Sequence, residues 1–517
     1  MHEEVELKLA LEPEQLARLR RHPLIRSLAQ GPARKRLLSS TYFDTPTLNL
    51  QQRGMALRVR RLGARRVQTL KAPADGNGGL QHFRKIETPV FDDRPDLAIL
   101  RQPSLGTLVG DASLLRALEP VFTTEVERRM KPLRFADTAI ELAFDEGKIV
   151  AGPRECPLCE AELELVTGEP ARLYELALAL RESIEFRLEH RTKAARGYQL
   201  VTGAGAEARK AAVIELEPSM SATTAFTVLA RGALDQITAN EEAALEGTDP
   251  EGVHQLRVGV RRLRSLASIF APVMASGVRS ELKGELTWLH QCFGPARDWD
   301  VFLTETLDAL VPRLSNLCGL EALRREAEAL KSEGYRLARE TLFSQRYTML
   351  LLRLGLWLTE GSRKARARGA VSADGPILDF ALRVLAKRHD KLVNRAGKVS
   401  RMSDERLHAL RIRAKKQRYA ADFFAGLYRK KAVARYVKRL AAVQDALGGV
   451  NDAAVCDRLL GQLCARIESA LDGPAAIEAR EAAAAIRGWQ AARARSGLGE
   501  LKRQMRKFHK TKPFWRA

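Results

Sequence analysis

The chain has 517 residues, 86 Lys and Arg against 63 Asp and Glu, and a formal net charge of +23, a length that predicts two or three domains rather than one. No early apolar run approaches the roughly 18 residues of a membrane helix, and a strand pattern begins almost at Met1, so neither a signal peptide nor a membrane span is expected. The charge is lopsided: residues 1–203 carry a net +4 and the remainder a net +19, so the second half attracts a polyanion, with a plain solubility surplus as the bland alternative.

The first predicted strand, 3–11, contains Glu4-Val5-Glu6-Leu7-Lys8. Alternation puts Glu4, Glu6 and Lys8 on one face and Val5, Leu7 and Leu9 on the other. A face with two carboxylates and an ammonium is either solvated or lines a wet, ion-holding cavity. A helix over 13–30 follows, then strands at 39–44, 55–62, 66–71 and 82–91, with a turn at Gly76-Asn77-Gly78-Gly79. Arg58 and Arg60 share a face opposite Leu57 and Val59, and Lys71 ends its strand. Strands at 122–135, 139–151 and 158–166 come next. Glu141 and Asp145 share a face, and Gly147 reads as a turn. Cys156-Pro157-Leu158-Cys159 has no second pair at zinc-finger spacing and reads as structural, and six cysteines in all fit a reducing cytoplasm. The charged alternation returns in Glu160-Ala161-Glu162-Leu163-Glu164-Leu165, three carboxylates on one face. Crowded carboxylates repel, and a divalent cation is their natural neutraliser. A sheet with a charged inner face and a covered outer face predicts an α+β antiparallel barrel with a polar lumen. A helix over 170–187 closes this region.

Residues 204–219 read as a linker. From 220 the chain is nearly all amphipathic helix, with Leu229, Leu234, Ile237, Leu350, Leu354, Leu382 and Leu385 as core. The basic tail, Lys502 to Arg516, reads as a frayed end or an anion contact. The helical half duplicates itself at an offset of 154 residues: His254 matches His408, Arg257 matches Arg411, Arg261 and Arg262 match Lys415 and Lys416, Arg264 matches Arg418, Gly294 matches Gly448 and Asp298 matches Asp452. Repeats of this length are two bundle halves, about 220–370 and 371–510. At ~100° per residue, the offsets 0, +3, +7 and +10 from each His fall within about 80°. Each copy therefore carries a stripe of cations that repels itself unless an anion compensates it. One stripe alone reads as a solvated face; two, each opening on His, read as a phosphate-binding groove.

Residues 1–203 resemble the CYTH family, the triphosphate tunnel metalloenzymes. The resemblance rests on Glu4-x-Glu6-x-Lys8, Tyr42-Phe43-Asp44-Thr45-Pro46, Gly54-Met55-Ala56-Leu57-Arg58-Val59-Arg60, Leu70-Lys71 and Glu160-x-Glu162-x-Glu164. Residues 220–510 resemble the CHAD family, through the two His/Arg helices, Gly294 to Asp300 and Gln444 to Asp452. The first resemblance implies an eight-stranded antiparallel tunnel. In it Glu4, Glu6, Glu160, Glu162 and Glu164, with Asp145 nearby, would hold Mg²⁺ or Mn²⁺. Arg58, Arg60, Lys71 and Arg128 would clamp phosphates, beside Lys8 and the Lys193 that precedes Arg196-Gly197-Tyr198. The family's Arg-x-Glu-x-Glu is matched here only by Arg84 or Glu87, which implies an altered metal contact. The second resemblance implies an all-α polyphosphate-binding bundle using the two stripes. The implied protein is a cytoplasmic inorganic triphosphatase, with polyphosphate granules as a place of association. A nonenzymatic polyphosphate-granule binder and a CYTH-type adenylate cyclase are the alternatives. Nucleic acid is a lower option, because no nucleic-acid fold signature appears and aromatic residues are scarce.

Overall fold

Alternating burial shapes the first third of the chain. Strands β1 (His2–Ala10), β2 (Arg34–Asp44), β3 (Ala56–Leu62), β4 (Arg65–Pro73), β5 (Gln81–Val90), β6 (Glu119–Phe135), β7 (Thr138–Ala151) and β8 (Arg154–Thr167) are antiparallel, in the order β5-β4-β3-β2-β6-β7-β8-β1. β1 pairs back onto β5, which closes the barrel. A two-residue strand, β9 (Arg187–Leu188), extends β1 at Leu9 and Ala10. The computed structural model of the chain describes residues 2–73, 80–100, 112–314, 316–367, 375–394, 399, 402–470 and 473–516; the expected turn at Gly76 to Gly79 lies outside them.

The outward faces are apolar and covered, as the alternation requires. Leu7, Leu9, Leu142, Phe144, Ala161 and Leu163 are buried where α1 (Pro13–Arg21) and α2 (Ala171–Arg181) pack on β1, β7 and β8. Phe43, Leu57, Val59 and Leu70 form a second cluster with Leu50, Leu100, Leu114 and Leu115. The helix expected over 13–30 splits at His22, because Pro23 starts a new helix and supplies no N–H to the old one. The helix expected to reach 187 stops at Arg181, and Arg187–Leu188 go to β9. Gly147 is no turn. It lies inside β7, where an added Cβ would come within 1.9 Å of the Glu125 carbonyl oxygen on β6, so the glycine permits a close strand approach.

The chain divides into two compact units: 1–207 with 342–360, and 208–341 with 361–517. The first division falls after 207, where the sequence placed a linker over 204–219, and a segment from the helical half joins the barrel unit. Thr348 Oγ1 donates to the Phe186 carbonyl (3.4 Å), Gln345 Nε2 donates to the Arg181 carbonyl (3.4 Å), and Arg187 lies over the Phe343 ring at 4.4 Å. Gly355 sits so close to Tyr174 that a Cβ would lie 2.2 Å from the ring. The segment satisfies carbonyls left by the end of α2 and covers its aromatic face.

The second unit is helical, and its repeat is visible in the helix bounds. With α3 (Lys193–Thr202) assigned to the barrel unit, its helices include α4 (Ala222–Thr238), α5 (Pro250–Ile269), α6 (Ser276–Cys292), α7 (Gly294–Val301), α8 (Leu320–Phe343), α9 (Ile377–Val393), α10 (Asp404–Phe423), α11 (Lys430–Ala470) and α12 (Pro474–His509). The bounds of α5 and α10 differ by 154 residues at both ends, and the starts of α6 and α11, and of α8 and α12, differ by 154 as well. The copies diverge where Pro295 opens a new helix in the first; the second runs on through Gly448 and Gly449 as one 41-residue helix. Leu229, Leu234, Ile237, Leu350, Leu354 and Leu385 are buried, but Leu382 is 45% exposed. The tail is docked rather than frayed: Phe508, Phe514 and Trp515 are buried around Tyr436, whose hydroxyl meets His389 Nδ1 at 2.9 Å. Among the described residues no helix is long and apolar enough to cross a membrane.

Candidate active site and polyanion surface

Strand register stacks the lumen's charges in rungs. Glu6, Glu164 and Glu141 align across β1, β8 and β7; Lys8 and Glu162 form the next rung; Glu160 and Asp145 the next, with Arg128 of β6 beside Asp145. α3 brings Lys193 in from one side. Its N-cap Thr192 accepts from Ala195 N, and Gly203 ends it at φ +63°. Gly197 lets the helix lie on Phe122, where a Cβ would be 2.1 Å from the ring.

The resulting network is dense. Lys193 Nζ lies 2.8 Å from both Asp145 and Glu162 and also pairs with Glu160. Arg128 forks onto Asp145 at 2.6 and 2.7 Å and also meets Glu162. Lys8 reaches Glu6 at 3.1 Å and Glu162 at 3.5 Å, and Arg196 reaches Glu160 at 3.1 Å. Burial alone would neutralise these groups, but the opposite charges outweigh it: Asp145 and Glu162 are held below the usual carboxylate range, and Lys8, Lys193 and Arg128 are pushed up. At the other end Glu4 pairs with Lys71 (2.6 Å) and Lys85 (3.8 Å), and these cations overcome burial to hold it at about 2. Glu164 is the exception. Burial and then Glu4 raise it to about 7, and no cation lies within 4 Å of it among the described residues.

Arg58 and Arg60 stand apart from the carboxylates. Arg58 donates to the Tyr42 hydroxyl (3.3 Å) and Arg60 to Ser40 Oγ (3.1 Å); neither has a carboxylate within 4 Å among the described residues, and Arg58 Nε, buried, has no hydrogen-bond partner. Burial, then Arg58 and Arg128, push the Arg60 guanidinium down. Burial would raise the Tyr42 phenol, yet Arg58 and Arg60 bring it below its ordinary value. Tyr42 stacks on Phe122 at 4.4 Å. Its neighbour Asp44 serves structure, accepting from the backbone N–H groups of Thr45, Leu50 and Gln51.

All twelve tunnel residues expected from sequence lie in this unit and face its lumen network, Glu164 and the Arg58–Arg60 pair without ion partners among the described residues. Two members escaped the sequence reading. In β5 the lumen face carries Lys85 and Glu87, 3.1 Å apart, while Arg84 faces out and is exposed; alternation separates the two adjacent cations, and the register to β4 decides which faces in. Arg196 follows Lys193 by three residues, and helical spacing alone puts both on one face. One oxygen each from Asp145, Glu160 and Glu162 lie within 4.8 Å of one another. Three hard oxygen donors suit a divalent cation of the Mg²⁺ or Mn²⁺ kind, and the Lys193 ammonium already marks the place for positive charge.

In the helical unit α5 and α10 adjoin. Arg261 of α5 acts electrostatically on Arg411 and Lys415 of α10, and Arg257 acts on Lys415. Burial, Arg411 and Arg261 push Lys415 down to about 8. Arg257 and Arg411 make matching ion pairs, with Asp298 (3.6 Å) and Asp452 (3.5 Å). Arg257 also donates to the Phe293 and Gly294 carbonyls. His254 is half-buried beside Arg297, and His408 is exposed. Other stripe members go elsewhere. Arg262 lies over Phe423 near the Asp422 that pairs with Arg418, while Arg264 and Lys416 belong to a group with Arg388 and Arg413.

Residues 2–198 match the CYTH domain family and residues 228–461 the CHAD domain family. An inorganic triphosphatase of Haemophilus influenzae is 30% identical over 201 residues, 39% of this chain; the chain spans just over half, 55%, of that relative's length. An uncharacterized protein of Mycobacterium tuberculosis is 27% identical over 416 residues, 76% of each chain. A crystal structure of the CHAD domain from the plant Ricinus communis is 33% identical, with a TM-score of 0.49, covering 58% of this chain and 97% of that one. The chain therefore belongs to the CYTH family in its barrel and to the CHAD family in its helical half.

Proposed function

We propose that the barrel hydrolyses inorganic triphosphate to pyrophosphate and phosphate with Mg²⁺ or Mn²⁺, and that the helical unit binds long-chain inorganic polyphosphate in the cytoplasm. One observation carries the first reading: a single lumen holds two guanidiniums with no carboxylate partner among the described residues and, separately, three carboxylates whose oxygens lie within 4.8 Å. A triphosphate needs both kinds of wall.

Arg58 and Arg60 bind phosphate oxygens, and the cost of burying two neighbouring guanidiniums falls when an anion sits between them. Lys71 and Arg128 flank them and spread the charge that grows on the transferred group. Tyr42, whose hydroxyl Arg58 holds, walls the phosphate site on its aromatic side. Asp145, Glu160 and Glu162 would hold the divalent cation, with Glu4, Glu6 and Glu164 as further donors. When bound, that cation supplies Lewis-acid charge and activates water.

The test is release of phosphate by the full chain from inorganic triphosphate, ATP and thiamine triphosphate, each with Mg²⁺, Mn²⁺ and EDTA, with cyclic AMP measured in the ATP arm. Triphosphate hydrolysis that EDTA abolishes supports the reading; cyclic AMP as the main product, or binding without turnover, replaces it. For the helical unit, long polyphosphate competes against single- and double-stranded DNA at equal phosphate concentration. Equal competition by DNA overturns the polyphosphate assignment.

A further inference from the structure

Within the helical unit, His290 takes no part in either sequence stripe, yet it sits among them. It is the third-last residue of α6, the helix packed on α5. The charged groups acting on it are Arg257, Arg261 and Arg264 of α5 and Lys415 of α10, four cations from two helices. The following helix, α7, carries Arg297, and its Asp298 is engaged by Arg257 (3.6 Å) and Arg458 (2.7 Å). On its own helix, Thr287 uses its hydroxyl on the Lys283 carbonyl. His290 Nδ1 is buried and has no hydrogen-bond partner among the described residues. Arg257 donates to the carbonyls of Phe293 and Gly294, three and four residues along, which fixes the end of α6 against α5.

We infer that His290 is an anion ligand of this groove that takes up a proton when polyphosphate binds, so that the helical unit grips polyphosphate more tightly as pH falls. The inference rests on the polyphosphate reading of the groove and deepens it. In the free protein, burial and the four cations hold the imidazole down at about 4, so it is neutral at neutral pH. Phosphate oxygens lying along Arg257, Arg261 and Lys415 cancel that repulsion and offer the orphaned nitrogen an acceptor. The imidazolium then becomes the favoured form, the proton comes from solvent, and no other bond changes. Linkage fixes the sign: a site that binds more protons when occupied gains affinity as pH falls, by at most about tenfold per pH unit for one proton.

Full-length protein is titrated calorimetrically with long-chain polyphosphate at about pH 6 in two buffers of different ionisation enthalpy, which counts protons taken up. The same titration is run on His290→Gln, with His290→Asn as a second variant should the first fold poorly. Wild type should take up more protons than either variant. The ratio of wild-type to variant affinity should grow several-fold as pH falls from about 8 to about 5.5. Equal proton uptake, or a ratio constant with pH, overturns the role of His290 and leaves the groove standing. Failure of wild type to bind polyphosphate at any of these pH values overturns the groove itself and the inference with it.

Discussion

Lys193→Met removes one charge from the tunnel while keeping much of the side-chain volume. The ammonium lies 2.8 Å from Asp145 and from Glu162, is 7% exposed, and also pairs with Glu160. At an effective dielectric near 20, each 2.8 Å contact carries about 6 kcal/mol of Coulomb attraction, most of which offsets the burial of the ammonium. Removing one member of a buried ion group costs about 3–5 kcal/mol, because its partners stay buried and uncompensated. Arg128, Lys8 and Arg196 still serve Asp145, Glu162 and Glu160, so the lower end, about 3 kcal/mol, is expected. Guanidinium denaturation of the full chain in EDTA should show the barrel unit unfolding earlier in the variant, resolved from the helical unit as a separate transition. Millimolar-range Mn²⁺ should recover more stability in the variant than in wild type, since the ion neutralises the same oxygens. Unfolding at the wild-type denaturant concentration in EDTA, or equal stabilisation of both proteins by Mn²⁺, would refute the account of Lys193 as the lumen's resident countercharge.

Arg58→Ala and Arg60→Ala should each slow triphosphate turnover by roughly two to three orders of magnitude while leaving the fold intact; steady-state rates beside circular dichroism decide it, and wild-type rates in both would mean these arginines touch no phosphate. Gly197→Ala should cost about 1–3 kcal/mol and turnover as well, because the new Cβ would be 2.1 Å from Phe122 and α3 must lift, taking Lys193 with it; unchanged melting and rate would contradict that packing. His290 makes a pH prediction for the free protein. Its folded value, about 4, lies below the ordinary 6.5, so the unfolded chain protonates first as pH falls. Its stabilising share is present above 6.5 and lost toward 4. The melting temperature of wild type should therefore drop relative to His290→Gln across that window, and parallel curves would exclude it.

The barrel was legible because period-two charge, which a single solvated strand also carries, recurs in two strands far apart in the chain. Glu4, Glu6 and Lys8 opposite Val5, Leu7 and Leu9, answered by Glu160, Glu162 and Glu164, define both the strands and their inward face. Lys85 was hidden because Arg84 and Lys85 are adjacent cations, and only the register to β4, Lys71 against Lys85, decides which one looks inward. The repeat was legible to the residue, since His254, Arg257 and Asp298 recur as His408, Arg411 and Asp452 at one offset; that Pro295 splits one copy follows from its missing N–H. Pairing across tertiary distance left no local signal. His290 reads as one more polar residue on an amphipathic helix until α5 and α10 bring four cations to it, and the basic tail reads as solvated until Tyr436 and His389 give Phe514 and Trp515 a place to dock.

The return of residues 342–360 to the barrel unit has a consequence in time. A ribosome making this chain releases all eight strands and α2 about 135 residues before the segment that covers Tyr174 and the carbonyl of Phe186. At about 5–20 residues per second, that face waits roughly 7–27 s. During the wait the nascent barrel carries an open aromatic patch, and half of the helical repeat is synthesised while it does. Fragments ending near residue 203 keep that patch open permanently, so poor yield from such fragments would report a missing neighbour rather than an unstable barrel.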